Sequence, residues 1–130
     1  MIIGKSLHIT WQELACKDGS AYPSKFIQDG RVIELIVMFE RIRAIWELPI
    51  IINSAYRTVS YNKKVGGAPN SQHILGKALD LQPPKGITII DFYTEIKFQY
   101  LKLGVRGLGL YSSFVHTDIR DSTKLITWGL

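Results

Sequence analysis

A helical pattern over residues 31–46 constrains the fold more than any other part of this sequence. Apolar side chains recur there at helical spacing, which places them on one broad face. They are Val32, Leu35, Ile36, Phe39, Ile42 and Trp46. Charged residues supply the opposite face, and Pro49 cannot continue the helix. The pattern predicts an amphipathic helix that packs its apolar face against the rest of the fold.

Short strand-like segments and a second helix follow in the chain. The predicted strands are 49–54, 78–81, 106–113, 114–120 and 125–128. A tight turn at Ser112 and Ser113 joins the third strand to the fourth. The second helix is predicted from Thr88 to Leu103, with Gly104 after its end. This order predicts one α+β domain over residues 1–130, in which two main helices pack on a small antiparallel sheet.

Three smaller local patterns complete the secondary-structure prediction. Thr10 with Glu13 three residues later is typical of a capping box at the start of a helical turn. Residues 18–30 are rich in turn formers and are predicted to form turns. Residues 60–67 are predicted as a helical turn that ends at two glycines, and 68–77 as a loop.

Composition restricts the kinds of site that the chain can hold. The 130 residues include a single cysteine, Cys16, so an internal disulfide and a cysteine-based zinc site are both excluded. The formal charge of +5 is explained either by solubility or by attraction to a polyanion, such as nucleic acid or an anionic cell wall. Nucleic acid is the weaker interpretation, because the basic residues are scattered along the chain.

Targeting signals are also lacking in the sequence. No apolar run approaches the roughly 20 residues of a membrane helix. Residues 1–14 have neither the apolar segment nor the cleavage site of a signal peptide. We therefore expect a protein without membrane insertion, which works where it is made or leaves by another route.

Two histidines and an aspartate, His73, Asp80 and His116, form a candidate metal site. Catalytic zinc commonly takes three protein ligands from histidine and carboxylate and leaves a fourth position to water. His73 lies in the predicted loop and Asp80 in the strand that follows, while pairing of that strand with the strand of His116 would bring in the third ligand. Spacing alone leaves open that these histidines are solvated or hydrogen-bonded residues without a metal.

The segment SQHILGKALD, residues 71–80, matches the S-x-H-x-x-G-x-A-x-D signature of the zinc D-alanyl-D-alanine peptidases, the M15 metallopeptidase family. SAYRT resembles the arginine turn of that family, and GLGLY followed by FVHTDIR resembles its closing strands. WQELAC resembles the opening of a short M15 subgroup found in phage genomes. The resemblance covers nearly the whole chain and implies the hedgehog-like fold of these peptidases.

The resemblance implies Zn²⁺ as cofactor, held by His73, Asp80 and His116, and metal-assisted hydrolysis of an amide bond. It implies that Arg57 contacts the substrate carbonyl or carboxylate near the metal. Ser71 is expected to orient the loop or to contact the substrate.

Tyr111 and Trp128 are two aromatic residues in or near the closing strands. Tyr111 is expected either to present its hydroxyl to the substrate or to pack against neighbouring side chains. Trp128 is expected to cover the core.

The general base is where the sequence departs from the family pattern. Many members have an acidic residue three positions before the last ligand, where this chain has Ser113. Others have a histidine two positions before it, where this chain has Phe114. Asp118, on the same predicted strand face as His116, is the nearest acidic residue. It is expected either to act as the base or, as we favour, to hydrogen-bond a ligand imidazole.

The function implied by the resemblance is hydrolysis of peptide bonds in peptidoglycan stem peptides or cross-links. The enzyme would be a D-Ala-D-Ala carboxypeptidase or an endopeptidase, similar to a phage endolysin. It would stay in the host cytoplasm until holin-type release, or it would associate with virion proteins. The alternative is a non-catalytic zinc-binding module of the same fold, which serves as a virion component or binds the cell wall.

Overall fold

Three helices precede the first strand in residues 8–129, the part of the chain that the computed structural model describes. They are α1 (Trp11–Leu14), α2 (Ser24–Gln28) and α3 (Arg31–Trp46). The prediction of α3 is confirmed at both ends. Its first residue follows Gly30, whose φ is 86°, and its last precedes Glu47, whose φ is 54°. The capping box of α1 is also confirmed, with Thr10 and Glu13 bonded reciprocally.

The strands are β1 (Ile52–Ser54), β2 (Ala78–Leu81), β3 (Gly107–Leu110), β4 (Val115–Asp118) and β5 (Ile126–Gly129). They form one sheet in the order β1-β2-β4-β3-β5. The predicted α+β class is confirmed. Three of the pairings are antiparallel as expected, whereas β5 runs parallel to β3. The sheet is therefore mixed at the edge formed by β5.

The remaining helices are α4 (Val59–Lys64), α5 (Ile89–Phe98) and α6 (Tyr100–Leu103). The predicted second helix is thus divided at Gln99, where ψ changes to 16°. Gly104 ends α6 with a φ of 82°, a left-handed conformation that glycine adopts without a steric penalty. Thr88 caps α5 by accepting a hydrogen bond of 3.1 Å from the backbone N–H of Asp91.

Replacing Thr88 with alanine is expected to lower the free energy of unfolding by about 1 kcal/mol, because the first turn of α5 loses its capping oxygen. Urea denaturation measures this change. Thr94→Ala is the matched control, since Thr94 is exposed inside the same helix, where alanine has the higher helix propensity. Equal losses in both variants would contradict the capping role.

The hydrophobic core lies between α3, α5 and the sheet. Val32, Leu35, Phe39 and Ile42 of α3 have no exposed surface, which confirms the predicted apolar face. Trp46, at the end of that face, is partly buried, and its ring centroid lies 5.2 Å from that of a core phenylalanine in α5. Burying such side chains contributes roughly 1.5–3 kcal/mol each.

Two predictions of local structure are wrong in part. Residues 18–30 contain α2, which begins after Pro23 and buries Phe26 in the core. The first strand is limited to Ile52–Ser54, shorter than the predicted 49–54. The turn between β3 and β4 is confirmed, and a backbone bond of 3.1 Å from Tyr111 to Phe114 closes it.

None of the helices in residues 8–129 has the length and apolar character of a membrane span. The expectation about a signal peptide concerns residues 1–14, of which 1–7 lie outside the described part of the chain.

Candidate metal centre

The structure brings His73, Asp80 and His116 together at the middle of the sheet. Asp80 of β2 and His116 of β4 are direct partners in the antiparallel ladder, which confirms the predicted pairing of these strands. His73 reaches them from the loop that precedes β2. One ligand atom from each residue lies within 4.8 Å of the others, and all three residues are buried.

His73 is oriented by the backbone behind it. Its Nδ1 lies 2.6 Å from the carbonyl oxygen of Ala55, which can only accept a hydrogen bond, so Nδ1 carries the proton. Nε2 is then a bare acceptor, and it lies 3.1 Å from Oδ1 of Asp80. Within residues 8–129 this buried Nε2 has no hydrogen-bond partner. Two acceptors that face each other in a buried site indicate a place for a cation.

His116 completes the site from the other side. Its Nε2 lies 2.7 Å from Oδ2 of Asp118, and its Nδ1 lies 3.0 Å from Oδ1 of Asp80. If Nε2–H donates to Asp118, Nδ1 points its lone pair at the same place as Nε2 of His73. The three atoms suited to hold a metal are therefore Nε2 of His73, Oδ1 of Asp80 and Nδ1 of His116.

The pKa shifts of the two histidines differ in direction. Burial lowers the pKa of His73 and outweighs its contact with Asp80. Burial also acts to lower the pKa of His116, but hydrogen bonds to Asp118 and Asp80 raise it overall. In the metal-free protein a proton on Nδ1 of His116 can thus take the place of a cation, and metal binding must displace it.

Asp80 is held as a carboxylate. Burial raises its pKa, but the close contacts with His116 and His73 outweigh that effect and bring the pKa well below its usual range. Arg57 adds a contact of 3.3 Å from Nη2 to Oδ2 of Asp80. One oxygen of Asp80 therefore faces the two imidazoles while the other accepts from the guanidinium.

Arg57 is fixed by several neighbours besides Asp80. Its Nε donates to Oγ of Ser54 and its Nη1 to Oδ1 of Asn62, both at 3.1 Å. Its backbone N–H donates to the carbonyl oxygen of His73 at 3.1 Å, which ties the arginine turn to the metal-site loop. The sequence predicted Arg57 at the site but gave no signal for Asn62, which is buried in α4.

Asp118 lies behind His116 and is fully buried. Besides Nε2 of His116, its oxygens accept from Nη2 of Arg120 at 2.7 Å, Nε at 2.9 Å and the backbone N–H at 3.1 Å. Burial raises the pKa of Asp118, but the bonds with His116 and Arg120 lower it to about 2. Gly107 lies opposite in β3, where a Cβ would collide with this carboxylate.

A cleft of about 610 Å³ opens over the three metal-site residues. Ser71 lines it, and its Oγ accepts a 3.1 Å hydrogen bond from the backbone N–H of His73. Tyr111 also lines it and stacks on Phe114 at 4.5 Å between ring centroids. Ser113 is exposed and is not among the described residues that line the cleft.

Trp128 and Arg120 line the cleft, although the sequence did not predict either residue there. The prediction that Trp128 covers the core is wrong, because its ring lines the cleft at 5.0 Å from the ring of His116. Its Nε1–H donates to the hydroxyl of Tyr111 at 2.8 Å. Arg120 shares the two-residue periodicity of His116 and Asp118, which is the signal that could have placed it at the site.

The peptidase M15 family model matches residues 7–118 of this chain, including all three metal-site residues. The chain belongs to the peptidase M15 family. The resemblance noted in the sequence is thereby confirmed at the level of the family. Arg120 and Trp128 lie beyond the matched residues, so their place at the cleft comes from the structure.

A 38-residue stretch of this M15 chain is 47% identical to the zinc D-Ala-D-Ala carboxypeptidase of Streptomyces albus G. The stretch is 29% of this chain and spans 15% of the relative's length. The similarity therefore concerns a segment and does not extend over the whole relative.

The donor set fits Zn²⁺, as expected from the sequence. Two imidazole nitrogens and one carboxylate oxygen are one of the ligand sets of catalytic zinc sites, which keep one position open. In this M15 chain the three donors line the cleft, so an open position faces solvent. The unpartnered Nε2 of His73 is the structural sign that the site suits a cation.

Proposed function

We propose that this M15 protein is a zinc peptidase that hydrolyses peptide bonds in peptidoglycan stem peptides or cross-links. The observation that carries the proposal is the convergence of Nε2 of His73, Oδ1 of Asp80 and Nδ1 of His116 on one point of an open cleft. The name of the Streptomyces relative supports a D-Ala-D-Ala peptide as substrate.

In this proposal, His73, Asp80 and His116 hold the metal. A zinc ion bound there supplies Lewis-acid activation of water and of the scissile carbonyl. Arg57 binds the carbonyl oxygen on which charge develops. A guanidinium has five N–H donors, and the three bonds of Arg57 to side chains of the described residues leave two for the substrate. Because these three bonds fix the guanidinium in advance, it is preorganised for the charge of the transition state.

Asp118 orients His116 in our mechanism. Its two oxygens already accept from four donors, and Asp118 is not among the described residues lining the cleft. A carboxylate with its acceptor positions filled is poorly placed to take a proton from water in the cleft. Asp118 instead keeps the proton of His116 on Nε2, which leaves Nδ1 free to bind metal.

One observation favours the non-catalytic alternative. Among the described residues that line the cleft, Asp80 is the only carboxylate, and our mechanism uses it to hold the metal. Phe114 fills the lining position where some relatives have a histidine base. A zinc-binding module without peptidase activity, which binds the cell wall or belongs to a virion, therefore remains the second candidate.

Digestion of purified peptidoglycan, analysed by mass spectrometry, distinguishes the two functions. We expect zinc-loaded protein to release D-alanine or to cut cross-links, and a chelator to stop the reaction. Asp118→Asn is expected to weaken zinc binding about 10- to 100-fold, because it removes the carboxylate behind a ligand. Normal zinc binding without cleavage of any muropeptide would reject the peptidase and support the module.

The cellular role in the proposal is that of a lysin. Such a protein would reach the cell wall from the host cytoplasm after holin-type release, or from a virion that carries it. The products of the digestion also show whether the enzyme is a carboxypeptidase, which removes terminal D-alanine, or an endopeptidase, which cuts within the cross-link.

A further inference from the structure

Arg120 contacts both the buried carboxylate behind the metal site and the open cleft. Its side chain is 25% exposed, whereas that of Asp118 is fully buried. The guanidinium carbon lies 5.0 Å from the ring centroid of Trp128, which supports it from one side by a cation–π contact. The ion pair and the indole together hold Arg120 in place at the cleft wall.

Within residues 8–129, the hydrogen bonds of Arg120 leave one edge of the guanidinium unused. Nε and one N–H of Nη2 donate to the two oxygens of Asp118. Three of the five N–H donors therefore remain, two on Nη1 and one on Nη2. One N–H of Nη1 and one N–H of Nη2 are parallel and point outward from the unused edge of the guanidinium. That edge matches the two oxygens of a second carboxylate.

The charges of the cleft favour an anionic group at this position. The charged side chains among its described lining residues are Arg57, Arg120 and Asp80. A divalent metal at Asp80 makes the balance more positive still. Arg57 donates to Asp80, which lines the cleft, whereas Arg120 pairs with Asp118, which is not among the described lining residues.

We propose that Arg120 is a specificity-determining residue whose free N–H edge binds a carboxylate of the substrate. This inference rests on the proposed peptidase function and adds the substrate group that the cleft selects. Two sources offer that group in a stem peptide, the C-terminal carboxylate and an acidic side chain. Asp118 holds the guanidinium in a fixed orientation, so less conformational entropy is lost when the carboxylate binds.

Calorimetric titration of the zinc-loaded protein tests the inference without requiring cleavage. The probes are N-acetyl-D-Ala-D-Ala as the free acid, its C-terminal amide, and an amidated peptide of equal length with one acidic side chain. We expect wild type to bind one of the two acidic probes about 10- to 100-fold more tightly than the plain amide, as a charge-assisted pair implies. The probe that is preferred identifies the source of the carboxylate.

Arg120→Gln is expected to reduce that preference to less than about threefold while the plain amide binds as before. Arg106→Gln is the matched control, since it removes the same charge from a residue outside the described lining of the cleft. If Arg120→Gln loses zinc, Arg120→Lys replaces it, because lysine keeps the charge opposite Asp118 but lacks the parallel donors. In Arg120→Lys, we expect the preference for the acidic probe over the plain amide to fall about three- to tenfold.

An undiminished preference in zinc-loaded Arg120→Gln or Arg120→Lys would overturn the inference, as would equal binding of all three probes by wild type. Failure of the peptidase proposal gives a different result, namely no cleavage by zinc-loaded wild type whichever probe binds. If the protein cleaves, the Arg120 variants should raise KM for acidic substrates with a smaller change for the amide. A merely structural role would affect both substrates alike.

Discussion

Replacing His73 with alanine is expected to abolish zinc binding and, with it, any peptidase activity. The variant loses one of three protein ligands and leaves the carbonyl of Ala55 without its 2.6 Å partner. Loss of a group that only supports a ligand already costs 10- to 100-fold in metal affinity, so we expect more than about 100-fold here. Metal analysis should fall from about one zinc per chain to nearly none.

Thermal unfolding with and without zinc provides a second measurement. A ligand at 1,000 times its Kd stabilises the folded state by about 4 kcal/mol, so zinc should raise the Tm of wild type. It should leave the Tm of His73→Ala almost unchanged. His8→Ala is the matched control, because His8 contacts Glu40 on α3 and is not part of the metal cluster. Wild-type zinc affinity in His73→Ala would refute the ligand assignment.

Replacing Gly76 with alanine is expected to lower the free energy of unfolding by about 2–5 kcal/mol. Gly76 has a φ of +67°, and a left-handed conformation costs other residues roughly 1–2 kcal/mol. The new Cβ would also lie 2.5 Å from Cδ2 of Phe26 and 2.9 Å from the hydroxyl of Tyr22. Overpacking of this kind adds about 1–3 kcal/mol.

The same substitution should weaken zinc binding. The hydroxyl of Tyr22 donates to the carbonyl of Gly76 at 2.7 Å, and the backbone N–H of Gly76 donates to the carbonyl of His73. Any shift of Gly76 therefore moves the loop that carries the first ligand. Gly86→Ala is the control: Gly86 has a similar φ of +87°, but a Cβ added there would have no described atom within 4 Å. A Gly76→Ala variant no less stable than Gly86→Ala would show that the contacts with Tyr22 and Phe26 impose no cost.

The sequence predicted those parts of the fold that are determined by residues close together in the chain. The helix Arg31–Trp46 follows from its apolar spacing, and the caps at Thr10 and Thr88 follow from their side chains. The approach of Asp80 to His116 needed one further step, the pairing of two strands. These features depend on sequence periodicity and on the geometry of hydrogen bonding, which act over a few residues.

The position of β5 could not be read from the sequence, because it depends on which strand edge is free. β4 is already paired with β2 and β3, so the chain that leaves β4 reverses and passes to the open edge of β3. That crossing makes β5 parallel to β3 and brings Trp128 over Gly109, where a Cβ would collide with the indole. The ring of Trp128 therefore lines the cleft because of the sheet topology.

The short helix α2 was missed for a related reason. Turn-forming residues such as Pro23 and Gly30 flank its five residues, and the only one of the five that is buried is Phe26. Phe26 contacts Tyr22 and Tyr56 through edge-on ring contacts, with centroids 5.8 and 6.1 Å away. Those partners come from different segments, so tertiary packing stabilises a helix that local propensity does not predict.

The pairing of Asp80 with His116 across two strands has a consequence for folding. Alternate residues of a strand point to opposite faces, so a slip of β4 by one residue would turn His116 away from Asp80. A misaligned sheet would therefore lack a complete metal site. Zinc would bind and stabilise only the chain whose strands are aligned correctly. During folding, the ion would therefore favour the correctly paired sheet over compact states with a misaligned β4.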